Sequence, residues 1–257
     1  MNLNSRALAI TKYSILEAMR DRFLYLIAIG FLTVFLLSIF IGELAITETS
    51  QTQVSIQAYL LRVFCVFTLS LFVITSMIRE FNDKGFELIL SQPITRLAYF
   101  TSKWLGYVMI ALFMASASLL CLLAHISIAD ALAWTLSLFA ELILFLTFSM
   151  FCLFTLNNIT VSFSAVVAFY ILARTIEVIR LISQSPILES PAISYQFISS
   201  AIDILAYMVP SLHRFTQTEW LIYGAANADL LFVFGQTVIF TILLAGAALF
   251  DLYRKEL

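Results

Sequence analysis

The sequence predicts an all-α protein that crosses a membrane six times. Three observations carry that expectation: an apolar composition, a series of uncharged runs of spanning length, and a lopsided distribution of basic residues. Of the 257 residues, 62% are hydrophobic and 12% charged, with a mean hydropathy of +1.00. A soluble domain of this size carries about a quarter charged residues. A bilayer core about 30 Å thick takes roughly 20 helical residues at about 1.5 Å each. Phe23 to Gly42, Trp104 to Ala124 and Leu230 to Phe250 supply that length without a charge. Three further runs contain or abut charges. Tyr59 to Ile78 holds Arg62 near its start, Ala131 to Leu156 holds Glu141, and Ile159 to Ile182 holds Arg174, Glu177 and Arg180 in its last third. A closed β-barrel would also satisfy every backbone group in lipid, but it needs alternating segments of about ten residues, and none occur. Some 22 polar and amphipathic residues precede the first apolar run and no small-residue cleavage site follows it promptly, so that run is expected to be retained rather than removed as a signal peptide.

Six spans put both termini on one side. That side holds Arg6, Lys12, Arg20, Arg22, Arg79, Lys84, Arg96, Lys103, Arg254 and Lys255, ten of the 14 basic residues, so the positive-inside bias makes it cytoplasmic. The turn at Asn157 and Asn158 lies on the same side, and the opposite side keeps Arg62, Arg174, Arg180 and Arg214. The net charge of −2 therefore reflects insertion, and no nucleic-acid partner is expected. Cys65, Cys121 and Cys152 fall within apolar helices, where a thiol packs as a small hydrophobe. Neither a disulfide nor a metal role is expected of them.

Residues 1–22 place Leu3, Ala7, Leu8, Ile15, Leu16 and Met19 at mostly helical spacing, with Arg6, Lys12, Glu17, Arg20 and Asp21 elsewhere around the helix. The pattern predicts an amphipathic helix lying on the cytoplasmic surface, either as an anchor or as part of a subunit contact. Residues 23–257 then form one transmembrane domain. Within it, residues 79–97 open on the charges Arg79, Glu80, Asp83 and Lys84 and continue through Phe86, Glu87, Leu88, Ile89 and Leu90. A short amphipathic helix is expected there. Ser91-Gln92-Pro93 ends it, since proline disfavours helix at the residue before it, and Thr95 is placed to cap the next span.

This segment carries a resemblance. Arg79-Glu80, then Gly85-Phe86-Glu87-Leu88-Ile89-Leu90-Ser91-Gln92-Pro93-Ile94-Thr95-Arg96, then Tyr99, Lys103 and Gly106, resembles the segment between the second and third spans of type-2 ATP-binding-cassette permeases, in particular the branch that includes the permease of nitrous-oxide reductase maturation. Glu17-Ala-Met-Arg-Asp-Arg22 is similar to the end of that family's cytoplasmic elbow helix, and Val209-Pro210-Ser-Leu-His-Arg-Phe215 to a recurring segment between its last two spans. The resemblance implies six spans after an elbow helix, two permease copies around a pathway, and a coupling helix seated in a groove of a separate ATPase. It makes Glu80, Asp83, Gly85, Phe86, Glu87, Leu90 and Arg96 the ATPase-coupling interface. Gly85 would permit close backbone approach, Phe86 and Leu90 would anchor, and Glu80, Asp83 and Glu87 would meet basic groups. ATP and Mg²⁺ would belong to the partner, with no cofactor in this chain, and the membrane would be the bacterial inner membrane.

The segment from about residue 183 to 229 is too long for a plain connection. Phe197 to Val209, bounded by Pro191 and Pro210 and interrupted by Asp203, predicts a short or re-entrant helix at the outer end of the pathway; a seventh span would leave the C-terminus outside. Intramembrane charges are costly, so Glu141 is either a proton or cation site or a helix-contact hydrogen bond. Arg174, Glu177 and Arg180 stand at i, i+3 and i+6, so Glu177 is expected to bridge both arginines as they snorkel outward, with an anionic head group as the other option. No G-x-x-x-x-G-K-[ST], H-E-x-x-H or G-x-S occurs, so no catalytic role is expected. The sequence thus predicts a dimerising ABC permease that moves a substrate, by family outward. A carrier driven by an ion gradient through Glu141 is one alternative. A scaffold passing ATPase work to a periplasmic partner is another.

Overall fold

A computed structural model describes residues 3–20, 22–44, 49–82, 95–183 and 193–254. Every regular element among them is helical: α1 (Leu3–Arg20), α2 (Phe23–Leu44), α3 (Thr49–Asn82), α4 (Arg96–Leu122), α5 (Ile128–Leu156), α6 (Ile159–Ser183), α7 (Ile193–Met208), a 3₁₀ turn (Leu212–Arg214), α8 (Trp220–Tyr223) and α9 (Asn227–Arg254). Six of them, α2 to α6 and α9, are long and apolar enough to cross a membrane. The chain is a multi-pass membrane protein. Asp83, Gly85, Phe86, Glu87 and Leu90, with the helix expected around them, lie outside the described residues.

Helix ends follow local chemistry. The Thr95 hydroxyl accepts from the Ala98 N–H at 3.2 Å and starts α4. Ser127 starts α5, accepting from the Asp130 N–H while donating to the Asp130 carboxylate at 2.6 Å. The reversal between α5 and α6 takes two asparagines. Asn157 adopts the left-handed conformation at φ 54° as the C-cap of α5, and the Asn158 side chain accepts from the N–H groups of Thr160 and Val161. Asparagine tolerates the first role and is preferred in the second. One boundary differs from expectation, because α3 begins at Thr49, ten residues before the apolar run. Hydropathy marks where side chains tolerate lipid, whereas the backbone keeps its helix through polar Gln51 and Gln53. Arg62 is consequently well inside α3.

At the centre stands α5, which touches α3, α4, α6, α8 and α9 and buries Trp134, Leu138, Leu142, Phe145, Met150 and Leu153. α2 runs antiparallel to α3, since Phe23 stacks on Phe72 at 4.0 Å and Phe31 meets Phe64 edge-on at 5.6 Å. Outer helices turn large apolar side chains outward. Leu231 of α9 is 76% exposed and Leu243 63%, a surface that lipid solvates and water would not.

Against the bundle α1 presents small side chains: among its described side chains Ser14 and Ala18 are buried, whereas Leu16 and Met19 face outward. Thr11 donates to the Ser102 carbonyl at 2.9 Å, and Ser14 lies over Gly106, where a Cβ would fall 2.8 Å from its own. The paired positions advance together, so α1 runs beside the first half of α4 in the same sense. Small residues win the contact because close backbone approach drives helix packing where lipid competes equally well for large apolar side chains.

Gly106→Leu should therefore push α1 off α4. Overpacking of this kind costs about 1–3 kcal/mol, and the expected result is a lower melting temperature in detergent together with faster proteolysis between α1 and α2. An unchanged melt would show that α1 is held elsewhere.

Candidate functional site

Charged side chains gather at two nodes. The first lies where α3 ends and α4 begins. Lys103 of α4 is fully buried, and its ammonium stands 2.5 Å from Glu80 of α3 and 4.0 Å from Glu17 of α1. Ser76 donates to Glu17 at 2.9 Å and receives the Tyr107 hydroxyl at 3.1 Å, while Lys103 also lies over the Tyr13 ring. Three helices thus share one cation. Burial raises the Glu17 carboxyl above its usual range, against the attraction of Lys103 and the Ser76 hydrogen bond.

Two residues of the expected coupling interface are described, and both are turned inward. Glu80 faces Lys103. Arg96 donates to the carbonyls of Leu252 at 2.8 Å and Tyr253 at 2.9 Å, meeting the unsatisfied C-terminal carbonyls of α9 with a positive charge. Glu80 and Arg96 thereby fasten the loop's stems to the bundle.

The second node lies toward the opposite ends of α3 and α5. Between α7 and α9 the chain turns into the bundle, burying Val209, Leu212, Phe215, Thr216, Trp220 and Leu221. At its inmost point Thr216, at φ 46°, donates its hydroxyl to Glu141 at 2.9 Å and its N–H to Ser137 at 2.9 Å. A β-branched residue in the left-handed region is strained, and these bonds hold it there. Arg62 donates to the Thr216 carbonyl at 3.2 Å and hydroxyl at 3.4 Å. Glu141 is fully buried about 20 Å along α5 from Ile128, at about 1.5 Å per residue. Arg174 stands 3.9 Å from it and donates to the carbonyls of Leu212 and Phe215.

These contacts revise the reading of α6. Glu177 pairs with Arg180 at 3.7 Å, but Arg174 turns to Glu141 instead of Glu177. Arg180 pairs more closely with Asp203 of α7 at 2.9 Å and lies over the Tyr207 ring, tying the 16-residue α7 to α6. The residue that interrupted the apolar segment is thus the one that holds it. Glu141 has its basic partners, supplied from positions far away in sequence. Ser137 and Thr216, and Ser76 in the first node, escaped the sequence reading; Arg62 was marked there as a charge inside an apolar run, and Glu17 and Lys103 stood in the quoted motifs, but none of the three was read as a site residue.

Above Thr216 a polar cleft of about 370 Å³ opens between Tyr59, Arg62, Arg174, His213, Gln217 and Glu219. His213 is held below its ordinary pKa, chiefly by burial and further by the neighbouring Arg214 against the opposing pull of Glu177. No protein-family model matches the chain, and no curated protein matches it.

Lys103→Met leaves two largely buried carboxylates without their cation. Removing one partner of a buried ion pair costs about 3–5 kcal/mol, so the variant is expected to lose most of its thermal stability, measured by the melting of purified protein. His213 gives a pH signature. Above about pH 6.5 it is neutral folded and unfolded; as pH falls below that, the unfolded chain binds the proton first, so stability drops through the lowered folded pKa. Glu17 acts in the opposite sense, its raised pKa stabilising the fold below about 4.5 and losing that contribution as pH rises. The difference in melting temperature between wild type and His213→Gln should therefore shrink between pH 7 and 5; a constant difference would contradict the assignment.

Proposed function

We propose that the chain is the membrane subunit of an ATP-binding-cassette transporter, dimerising with a second copy and coupled to a separate cytoplasmic ATPase that binds ATP and Mg²⁺. The observation that carries this reading is the first node. A coupling element transmits a displacement only if its stems move as one body. Glu80 on the stem leading into the loop is paired with Lys103 on the stem leaving it, and Glu17 adds the N-terminal helix to the same buried cluster. Arg96 carries the connection on to α9. In this reading α1 is the elbow helix, residues 79–97 contain the coupling helix, both termini are cytoplasmic in a bacterial inner membrane, and substrate moves outward.

A second reading has its own observation. Glu141 is fully buried beneath an open polar cleft, bound by Thr216 and flanked by Arg174, a placement that suits a carboxylate gating an ion-driven carrier.

The test is affinity capture of the solubilised protein from its native cells, with an ATPase assay on what copurifies. A Walker-motif ATPase is expected, and Phe86→Ala or Glu87→Ala should release it or cut transport-linked hydrolysis by at least tenfold. Capture of no ATPase, or full coupling in both variants, would reject the permease reading. Loss of ion-driven uptake in Glu141→Gln without any ATPase would favour the carrier.

A further inference from the structure

We infer that the groove between α1, α2 and α4 holds an acyl chain of an anionic phospholipid whose head group meets Arg20 and Arg22. The inference requires only that the chain spans a membrane, and it stands apart from the choice between permease and carrier. The groove has a volume of about 330 Å³ and is lined by Ala18 and Met19 of α1, Phe23 and Ile27 of α2, and Met109 and Phe113 of α4. Two contacts fix its walls: Phe23 stacks on Phe72, and Gly106 admits Ser14 so that α1 lies close along α4. Met19, Met109 and Phe113 are half or more exposed and form its lips. An unfilled trough forfeits the dispersion contacts of its lining, and in a bilayer the phase that fills it is hydrocarbon.

Charge decides which lipid. Among the described residues before Glu43 the one carboxylate, Glu17, turns inward to Ser76 and Lys103, whereas Lys12, Arg20 and Arg22 are exposed. None of these three cations has a carboxylate within ion-pair distance among the described residues; Asp21 lies outside them. Arg20 ends α1 and Arg22 precedes α2, so both flank the bend between the groove-lining Met19 and Phe23. Their depth gives them a need for an anion. Ser14 lies against Gly106, already inside the apolar run that opens at Trp104, and α1 advances about 9 Å more, at about 1.5 Å per residue, before it reaches Arg20. A guanidinium at that depth is costly in hydrocarbon. It extends along its stem toward the interface, where the lipid phosphate is the nearest anion, and the arginine fork suits phosphate oxygens. Basic residues beside a span favour anionic head groups. A zwitterionic lipid brings its own cation, which the two arginines repel; a phosphoglycerol head group brings none. From that head group the acyl chain descends beside Phe23, Ile27 and Phe113, the direction in which α2 itself enters the bilayer.

Full-length protein in dodecyl maltoside, stripped of endogenous phospholipid, is mixed with equimolar dioleoyl phosphatidylglycerol and dioleoyl phosphatidylcholine, and retained lipid is counted by native mass spectrometry. One phosphatidylglycerol per chain, kept at least tenfold in preference to phosphatidylcholine, is the expected result. Arg20→Gln combined with Arg22→Gln, two exposed positions, should bring that preference to within twofold. Met109→Trp fills the groove from its lip and should cut phosphatidylglycerol retention at least tenfold, a loss that general attraction to a basic surface would not show. Retention of neither lipid, equal retention of the two, or a preference unchanged in the arginine variant overturns the proposal, as does phosphatidylglycerol binding that survives Met109→Trp. Recovery of a lipid-free dimer does the same. Should the arginine variant fail to give a monodisperse helical protein, Met109→Trp alone decides.

Discussion

A charge carried into an apolar helix bundle is costly without a counter-charge, and at both nodes that partner comes from another helix. Lys103 takes its two carboxylates from α3 and α1, while Glu141 takes its hydroxyl from the inward-turned segment and its arginine from α6. Few charges are available, so those present do the work of specifying which helices meet. Apolar packing alone would specify much less, because a leucine is as well solvated by an acyl chain as by a neighbouring helix. The remaining arrangement follows from these meetings: α5 sits centrally because both the inward-turned segment and α9 need its surface.

Contacts outside the nodes depend on shape. Gly106 lets Ser14 approach, and Gly30 lets the Phe64 ring lie against the α2 backbone, where a Cβ would fall 2.0 Å from it. Trp104 donates to Thr147 at 2.9 Å between α4 and α5, and rings of Phe145, Phe148, Phe169 and Tyr170 interlock α5 with α6. Such contacts are short-ranged and directional, which suits a bundle whose solvent offers no hydrophobic push.

The six spans were legible in the sequence because lipid imposes a length and a composition that a linear reading detects. Caps were legible where one side chain serves its own helix, as Thr95 does. The partners of Glu141 were not, because Arg174 lies 33 positions and Thr216 75 positions away and no local pattern records which distant residues share a cross-section. Local spacing even misdirected the reading of Arg174: an i, i+3 neighbour was available in Glu177, but the inward-turned segment supplied two carbonyls and α5 the buried Glu141. The burial of Ser14 and Ala18 rather than Leu16 and Met19 follows the same lesson, since amphipathicity reports attraction to apolar surroundings and not which of them is protein.

The separation between partners also sets an order of assembly. Lys103 finds Glu80 only 23 positions back along the chain, so the first node can close as soon as α4 has joined α3 in the membrane. Arg62 and Glu141 enter long before Thr216 has been synthesised, and an intramembrane charge of this kind costs about 2.5–3.5 kcal/mol on insertion scales. The half-made bundle therefore carries an uncompensated debt until the segment before α9 arrives and turns inward. A nascent chain that stops short of residue 216 leaves Glu141 without the Thr216 hydroxyl and Arg62 without the Thr216 carbonyl, which distinguishes an unfinished copy from a finished one.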